Sequence, residues 1–256
     1  MSEHDQQVER SATGERRRDL LRSLYLPWTW LIFLPYLAGS TALLGSVTLM
    51  VARLNQNLSF QVGTLWAWLL CRLNFTQVKV AGREHVQKGQ SYIIMSNHQS
   101  HFDVLAFYGH WGWQFRWVMK QELRKVPFLG AGCASMGHIY IDRTNRQRAI
   151  ASLRAARPLL NRGVSVMIFP EGTRSRDGRM KPFKKGGFMM ALDWNLPILP
   201  VSIDGTRHVL PGKTLKLLPG KVRVQIHEPV DVSQYGHDRL DELMDRVAST
   251  IAQGLK

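Results

Sequence analysis

The sequence predicts an α/β domain, a single unit with a largely parallel or mixed central sheet flanked by helices, behind an N-terminal membrane-associating helical segment. Three observations carry this. After residue 75 short apolar runs alternate with amphipathic stretches, the pattern of strands connected through helices. Several of those runs are apolar throughout rather than alternating, as strands covered on both faces must be. Before residue 75 the chain runs from Tyr25 to Ala52 without one charged residue, longer than the ~20 apolar residues a bilayer crossing needs.

Taken in order, residues 1–19 are polar and charge-mixed, and are expected to form a disordered tail. Residues 20–75 are expected to anchor the protein. Pro27, Pro35, Gly39 and Gly45 interrupt the first apolar stretch, and a second, Leu58–Leu73, is too short to cross comfortably. Its Trp66 and Trp68 suit the headgroup interface. A single span and a two-helix hairpin dipping into one leaflet both fit, and the hairpin is preferred. The Arg16–Arg18 cluster favours a cytoplasmic N-terminus, and only the hairpin then leaves the remaining domain in the cytosol. Residues 76–256 form the α/β domain. Strands are predicted at 77–80, 92–95, 115–119, 138–141, 165–169, 198–203 and 222–227. Helices are predicted at 102–111, 146–161 and 238–253, the last with Leu240, Leu243, Met244, Val247 and Ile251 on one stripe.

The 256 residues carry 34 Lys and Arg against 19 Asp and Glu, a formal net charge of +15. That surplus calls for a polyanionic partner, whether nucleic acid, an anionic membrane or an acidic substrate. No nucleic-acid-binding module is recognisable, and such a partner would leave the uncharged N-terminal stretch unexplained. The two cysteines, Cys71 and Cys133, show no metal or redox spacing.

Two segments carry chemistry, and each directly follows an apolar strand. In Ser96-Asn97-His98-Gln99-Ser100-His101-Phe102-Asp103, His98 and Asp103 are five apart. On a regular helix such positions do not face each other. They meet only if His98 lies in the turn and Asp103 in the first helical turn, where the carboxylate fixes one imidazole nitrogen and leaves the other as a base. Otherwise Asp103 caps the helix and His98 is a turn residue; His101 competes as base, and a zinc set of His98, His101 and Asp103 is a minor alternative. The second segment is Phe169-Pro170-Glu171-Gly172-Thr173-Arg174-Ser175. From Glu171 to Lys185 six bases stand against two acids, a loop fit to bind phosphate through charge and backbone N–H groups, or simply a solvated basic loop.

Together these segments resemble the glycerolipid acyltransferases typified by 1-acyl-glycerol-3-phosphate acyltransferase. Asn97–Asp103 is similar to the family's His-x4-Asp box, and Phe169–Ser175 to its Phe-Pro-Glu-Gly-Thr-Arg box. Gly137–Arg143 resembles the intervening box that ends in arginine, and Leu199–Ile203 the proline-containing apolar strand. The resemblance covers residues 75–210. It implies that His98, oriented by Asp103, takes a proton from the sn-2 hydroxyl of lysophosphatidic acid. It further implies that Glu171, Gly172, Thr173 and Arg174 hold that acceptor, with Arg174 and Arg143 on its phosphate and Lys120 nearby. The acyl donor is acyl-CoA or acyl carrier protein, as co-substrate. No metal or other cofactor is implied and no acyl-enzyme is needed, in keeping with the lack of a Gly-x-Ser-x-Gly elbow. The partners expected are an anionic bilayer, the lysolipid and the acyl carrier, but no nucleic acid. The place expected is the cytoplasmic face of a bacterial inner membrane. An acyltransferase for another lysolipid or glycerol 3-phosphate, and a non-catalytic membrane lipid-binding protein, are the alternatives.

Overall fold

The computed structural model describes residues 19–160, 163–175, 177–212 and 214–255. The expected polar tail, residue 19 apart, lies outside them. The apolar stretch forms one helix, α1, from Asp19 to Ala52, which passes through both prolines. Pro35 has no N–H to give to the carbonyl of Leu31, and that would ordinarily break the ladder. Here Thr29–Phe33 widens into a π-helical turn, in which Leu34 N bonds Thr29 O, and the shifted register removes the demand on Pro35. Only 11% of the most apolar 18-residue window of α1 is buried, so α1 is not the core helix of a soluble domain. By length and composition it can cross a membrane.

Arg53–Asn55 turn the chain into α2, Gln56–Leu73, whose N-terminus is capped by Asn55: its side-chain oxygen accepts from the N–H groups of Asn57 and Leu58 at 2.9 and 3.2 Å. The Ser59 hydroxyl donates to Thr48 O at 3.0 Å and ties the two helices together. One face of α2 is core: Phe60, Ala67, Leu70 and Cys71 are buried against α3, Phe102–His110. Gly109 permits the approach, since a Cβ there would lie 2.7 Å from Trp68 N. Trp68 is 39% exposed, whereas Trp66 is partly buried against the core.

Among the described residues seven strands follow: β1 Gln77–Ala81, β2 Ile93–Ser96, β3 Phe115–Lys120, β4 Ile139–Ile141, β5 Ser165–Ile168, β6 Ile198–Asp204 and β7 Lys221–Ile226. They form one mixed sheet in the order β1-β7-β6-β2-β5-β3-β4, parallel throughout except where β7 runs against β6. The remaining helices are α4 Leu129–Ser135, α5 Arg146–Leu160, α6 Gly186–Trp194, α7 Thr206–Val209 and α8 Leu240–Gln253. Strand alternation sends Ile94 into the core under α2 and α3, and Ile93 and Met95 into a second core under α6 and α8. This is why β2 is apolar at consecutive positions. The seven predicted strands appear within a residue of their expected bounds. The helices α4, α6 and α7 were not foreseen: the first two are short and begin among glycines, and α7 spans only four residues.

On β3 lies a charge the core must accommodate. Arg116 is 1% exposed; its Nη1 donates to Gln114 Oε1 at 2.8 Å, and the guanidinium lies 5.4 Å from the Phe60 ring centre. His138 is buried nearby, and its Nδ1 accepts from Trp117 N at 3.2 Å. Burial, with a smaller push from Arg116, lowers the His138 pKa to about 3. The unfolded chain therefore binds a proton between the ordinary histidine value and about 3 that the folded chain refuses. Stability attached to this residue is complete at neutral pH and is lost as pH falls. Chemical denaturation at pH 7 and pH 5 should show wild type losing about 2 kcal/mol more than His138→Gln. Equal losses would show that His138 is not kept neutral by its surroundings.

Candidate active site

The C-terminal edge of the parallel strands is where open α/β sheets collect ligands, and both predicted segments lie there. His98 sits in the turn after β2, and Asp103 in the first turn of α3. The expected meeting occurs: His98 Nδ1 lies 2.7 Å from Asp103 Oδ2. That oxygen also accepts from the N–H groups of Gln99 and Ser100, at 2.7 and 2.8 Å. Oδ1 accepts from the Thr206 hydroxyl. Asp103 has no exposed surface, so a buried carboxylate accepts four hydrogen bonds at a helix N-terminus. With the carboxylate as acceptor, Nδ1 carries the imidazole proton and Nε2 keeps its lone pair. Among the described residues Nε2 has no hydrogen-bond partner. The ring is held on its face as well, because Phe169 stacks on it at 3.9 Å between centroids and 8° between planes, with Trp117 behind Phe169.

The backbone around His98 is fixed from two other elements. Asn97 donates through Nδ2 to Ile203 O and accepts at Oδ1 from Ile203 N, both at 2.8 Å, which clamps the end of β2 to β6. Glu171 accepts from His98 N at 2.6 Å through Oε1 and from Lys181 N at 3.0 Å through Oε2. The Glu171 side chain is thus turned inward and its residue is only 3% exposed. Burial raises its pKa, against the two N–H bonds that lower it. Each oxygen accepts from a backbone N–H, so this carboxylate joins the two loops. Ser175 N returns a bond to His98 O at 2.8 Å.

The second segment carries cations on the loop that bonds the His98 backbone. Arg174 Nη1 is buried without a partner among the described residues, and the Arg174 charge reaches His101, whose pKa is lowered first by burial, then by Arg174 and His98. His101 is neutral at pH 7 but lacks the direct carboxylate bond that His98 has. Gly172 adopts φ +69°, and a Cβ there would come within 2.9 Å of Lys184 Cε. The Arg143 Nη1 donates to Gly172 O at 2.7 Å and joins the edge beyond β4 to this loop. Thr173 is exposed at the loop's tip. Lys120 ends β3 on the same edge of the sheet, but its ammonium pairs with Glu122 at 3.0 Å. Arg176, counted among the bases of this loop, lies outside the described residues. Three contributors were invisible in the sequence, namely Thr206, Phe169 as a stacking ring and Asn97 as an inter-strand clamp. The distances along the chain explain the first and last.

Residues 77–204 match a family model described as acyltransferase. A 1-acyl-sn-glycerol-3-phosphate acyltransferase from Limnanthes douglasii is 35% identical over 181 residues, covering 70% of this chain and 63% of that protein. The human 1-acyl-sn-glycerol-3-phosphate acyltransferase alpha is 33% identical over 172 residues, covering 67% of this chain and 61% of that one. The match thus spans about three fifths of the length of these two relatives. The crystal structure of the 1-acyl-sn-glycerophosphate (LPA) acyltransferase PlsC from Thermotoga maritima superposes with a TM-score of 0.74 at 30% identity, covering 93% of this chain and 95% of that one. The fold, the two segments at the sheet edge and these similarities agree: the chain belongs to the acyltransferase family.

Proposed function

We propose that this protein transfers an acyl group from a thioester donor to the free sn-2 hydroxyl of 1-acyl-glycerol-3-phosphate, forming phosphatidic acid. The observation that carries the reading is the open Nε2 of His98, oriented by buried Asp103 beside the loop that holds Arg174 and bonds Arg143. Nε2 takes the hydroxyl proton as the oxygen attacks the thioester carbonyl. The tetrahedral intermediate then expels the thiolate, which recovers the proton from the imidazolium. Asp103 lowers the cost of the positive charge that the ring carries in between. Covalent catalysis is not invoked: Cys71 and Cys133 are both buried in the protein.

The acceptor's phosphate is assigned to Arg174, whose buried Nη1 is otherwise unsatisfied and costs free energy until an anion meets it. Arg143, positioned on the same loop through Gly172, is assigned beside it. Coenzyme A and acyl carrier protein both present the acyl group as a thioester, and either serves as donor in this scheme. The exposed apolar face of α1 supports placing the protein at a membrane, with the α/β domain on the cytosolic side. The relatives named above come from a plant, an animal and a bacterium, so the reading extends to a membrane surface and not to one organelle.

The test is transfer of a labelled acyl group to lysophosphatidic acid and, separately, to uncharged monoacylglycerol. Wild type should acylate the first and scarcely the second. Arg174→Ala should raise the apparent KM for lysophosphatidic acid about 10- to 100-fold, the range expected for losing one charge-assisted contact, with kcat nearly unchanged. An unmoved KM would remove Arg174 from the phosphate. Activity on glycerol 3-phosphate alone would replace the acceptor, and no transfer to any acceptor would favour a lipid-binding protein.

A further inference from the structure

Between β3 and α4 the chain makes a 3-10 turn over Gln121–Lys125 and then passes through Val126, Pro127 and Phe128. Here Leu123 is 38% exposed, Val126 40% and Phe128 48%. Single exposed apolar residues are ordinary on a protein surface, but these three fall within one turn and its exit. Phe128 is half-exposed beside α1 and takes an unusual backbone conformation. Its φ of 59° and ψ of −48°, with Leu129 N donating to Pro127 O at 2.6 Å, form the rare γ-turn of positive φ, a strained conformation for a bulky side chain. Such strain persists only where the surroundings impose it, and it gathers at functional positions. The surroundings do impose it. Gly130 N donates to Val126 O at 2.8 Å, Tyr140 Oη donates to Gly130 O at 2.9 Å, and a Cβ on Gly130 would meet Arg124 O at 2.2 Å.

Two further features point to the occupant of this surface. Arg124 and Lys125 are exposed between the apolar residues, and with Lys120 they outnumber the one acid of the segment, Glu122. The segment also abuts α1: a Cβ on Gly45 would lie 3.0 Å from Phe128 O and 3.1 Å from Phe128 Cβ. Apolar side chains interleaved with cations, next to a helix that bares Leu43 and Met50 on either side of Gly45, match the headgroup boundary of an anionic bilayer.

We propose that Leu123–Phe128 is a second membrane-contacting element, an interfacial wedge beside α1 that seats the rim of the site on the lipid surface. The inference rests on the reading of α1 as membrane-bound and extends it to the α/β domain. The wedge hangs from the C-terminal end of β3, the sheet edge that carries His98, so its insertion brings the site to the depth of a lysolipid headgroup.

Because both native cysteines are buried, a thiol-directed environment-sensitive dye can be attached at Val126→Cys or, separately, at Leu31→Cys in the full chain. Each labelled protein is mixed with phosphatidylglycerol–phosphatidylcholine vesicles carrying a bilayer-embedded quencher. Blue-shifted, quenched emission from both positions is the expected result. A shift at Leu31 alone would overturn the wedge and leave the reading of α1 intact. No shift at either would remove both. A shift at Val126 that needs no vesicles and grows with protein concentration would assign the surface to a second copy and overturn the proposal. Leu123→Ser with Val126→Ser should weaken vesicle affinity about tenfold while preserving turnover in detergent micelles. Unchanged affinity would also count against the wedge.

Discussion

Acyl transfer by the His98→Ala protein is expected to fall by about four orders of magnitude, the upper range for a general base, with the fold and vesicle binding retained. Retention follows from how His98 is held. Its backbone N–H and C=O, not its ring, bind Glu171 and Ser175, and both bonds survive truncation at Cβ. The loss is of one proton acceptor and of a ring stacked on Phe169. Melting temperature and vesicle binding measured beside turnover separate this outcome from misfolding. Turnover within tenfold of wild type would transfer the base role elsewhere, and His101 would be the first residue to test.

Asp103→Asn is expected to lower kcat by about 100- to 1,000-fold, less than the ~10,000-fold known when such a substitution leaves a histidine in the wrong tautomer. The hydrogen-bond donors around the carboxylate explain the difference. Gln99 N–H and Ser100 N–H both point at Oδ2 and repel an NH2 group placed there. The amide is forced to put its oxygen toward His98 and its nitrogen toward Thr206, whose hydroxyl can turn to accept. The proton on Nδ1 and the open Nε2 are thereby preserved, and only the negative charge facing the developing imidazolium is lost. A loss of 10,000-fold or more would mean that the amide sits the other way round. A loss below tenfold would deny the charge a role.

The parts of this molecule that were legible in the sequence are those written in local terms. Continuous apolar runs such as Ile93–Met95 reveal doubly covered strands, and the His98–Asp103 contact follows from a turn feeding a helix. Glu171 was harder. A carboxylate amid six bases reads as part of a ligand site, yet its partners are two backbone N–H groups, one of them 73 positions away. Asn97 and Thr206 act across 106 and 103 positions, and no local pattern marks them. Pro35 in α1 misled in the other direction, since a π-helical turn absorbs what reads as an interruption. Gly186 opens a helix although it reads as the end of a loop.

The long reach of the Asp103 contacts also orders events during synthesis. The apolar α1 leaves the ribosome early, whereas Thr206, β6 and the α8 helix packed against β6 emerge far later. A nascent chain therefore completes its apolar helix well before Asp103 gains its hydroxyl partner or Asn97 its strand. The longest apolar element precedes the site in time, and a half-made chain lacks the assembled setting of His98.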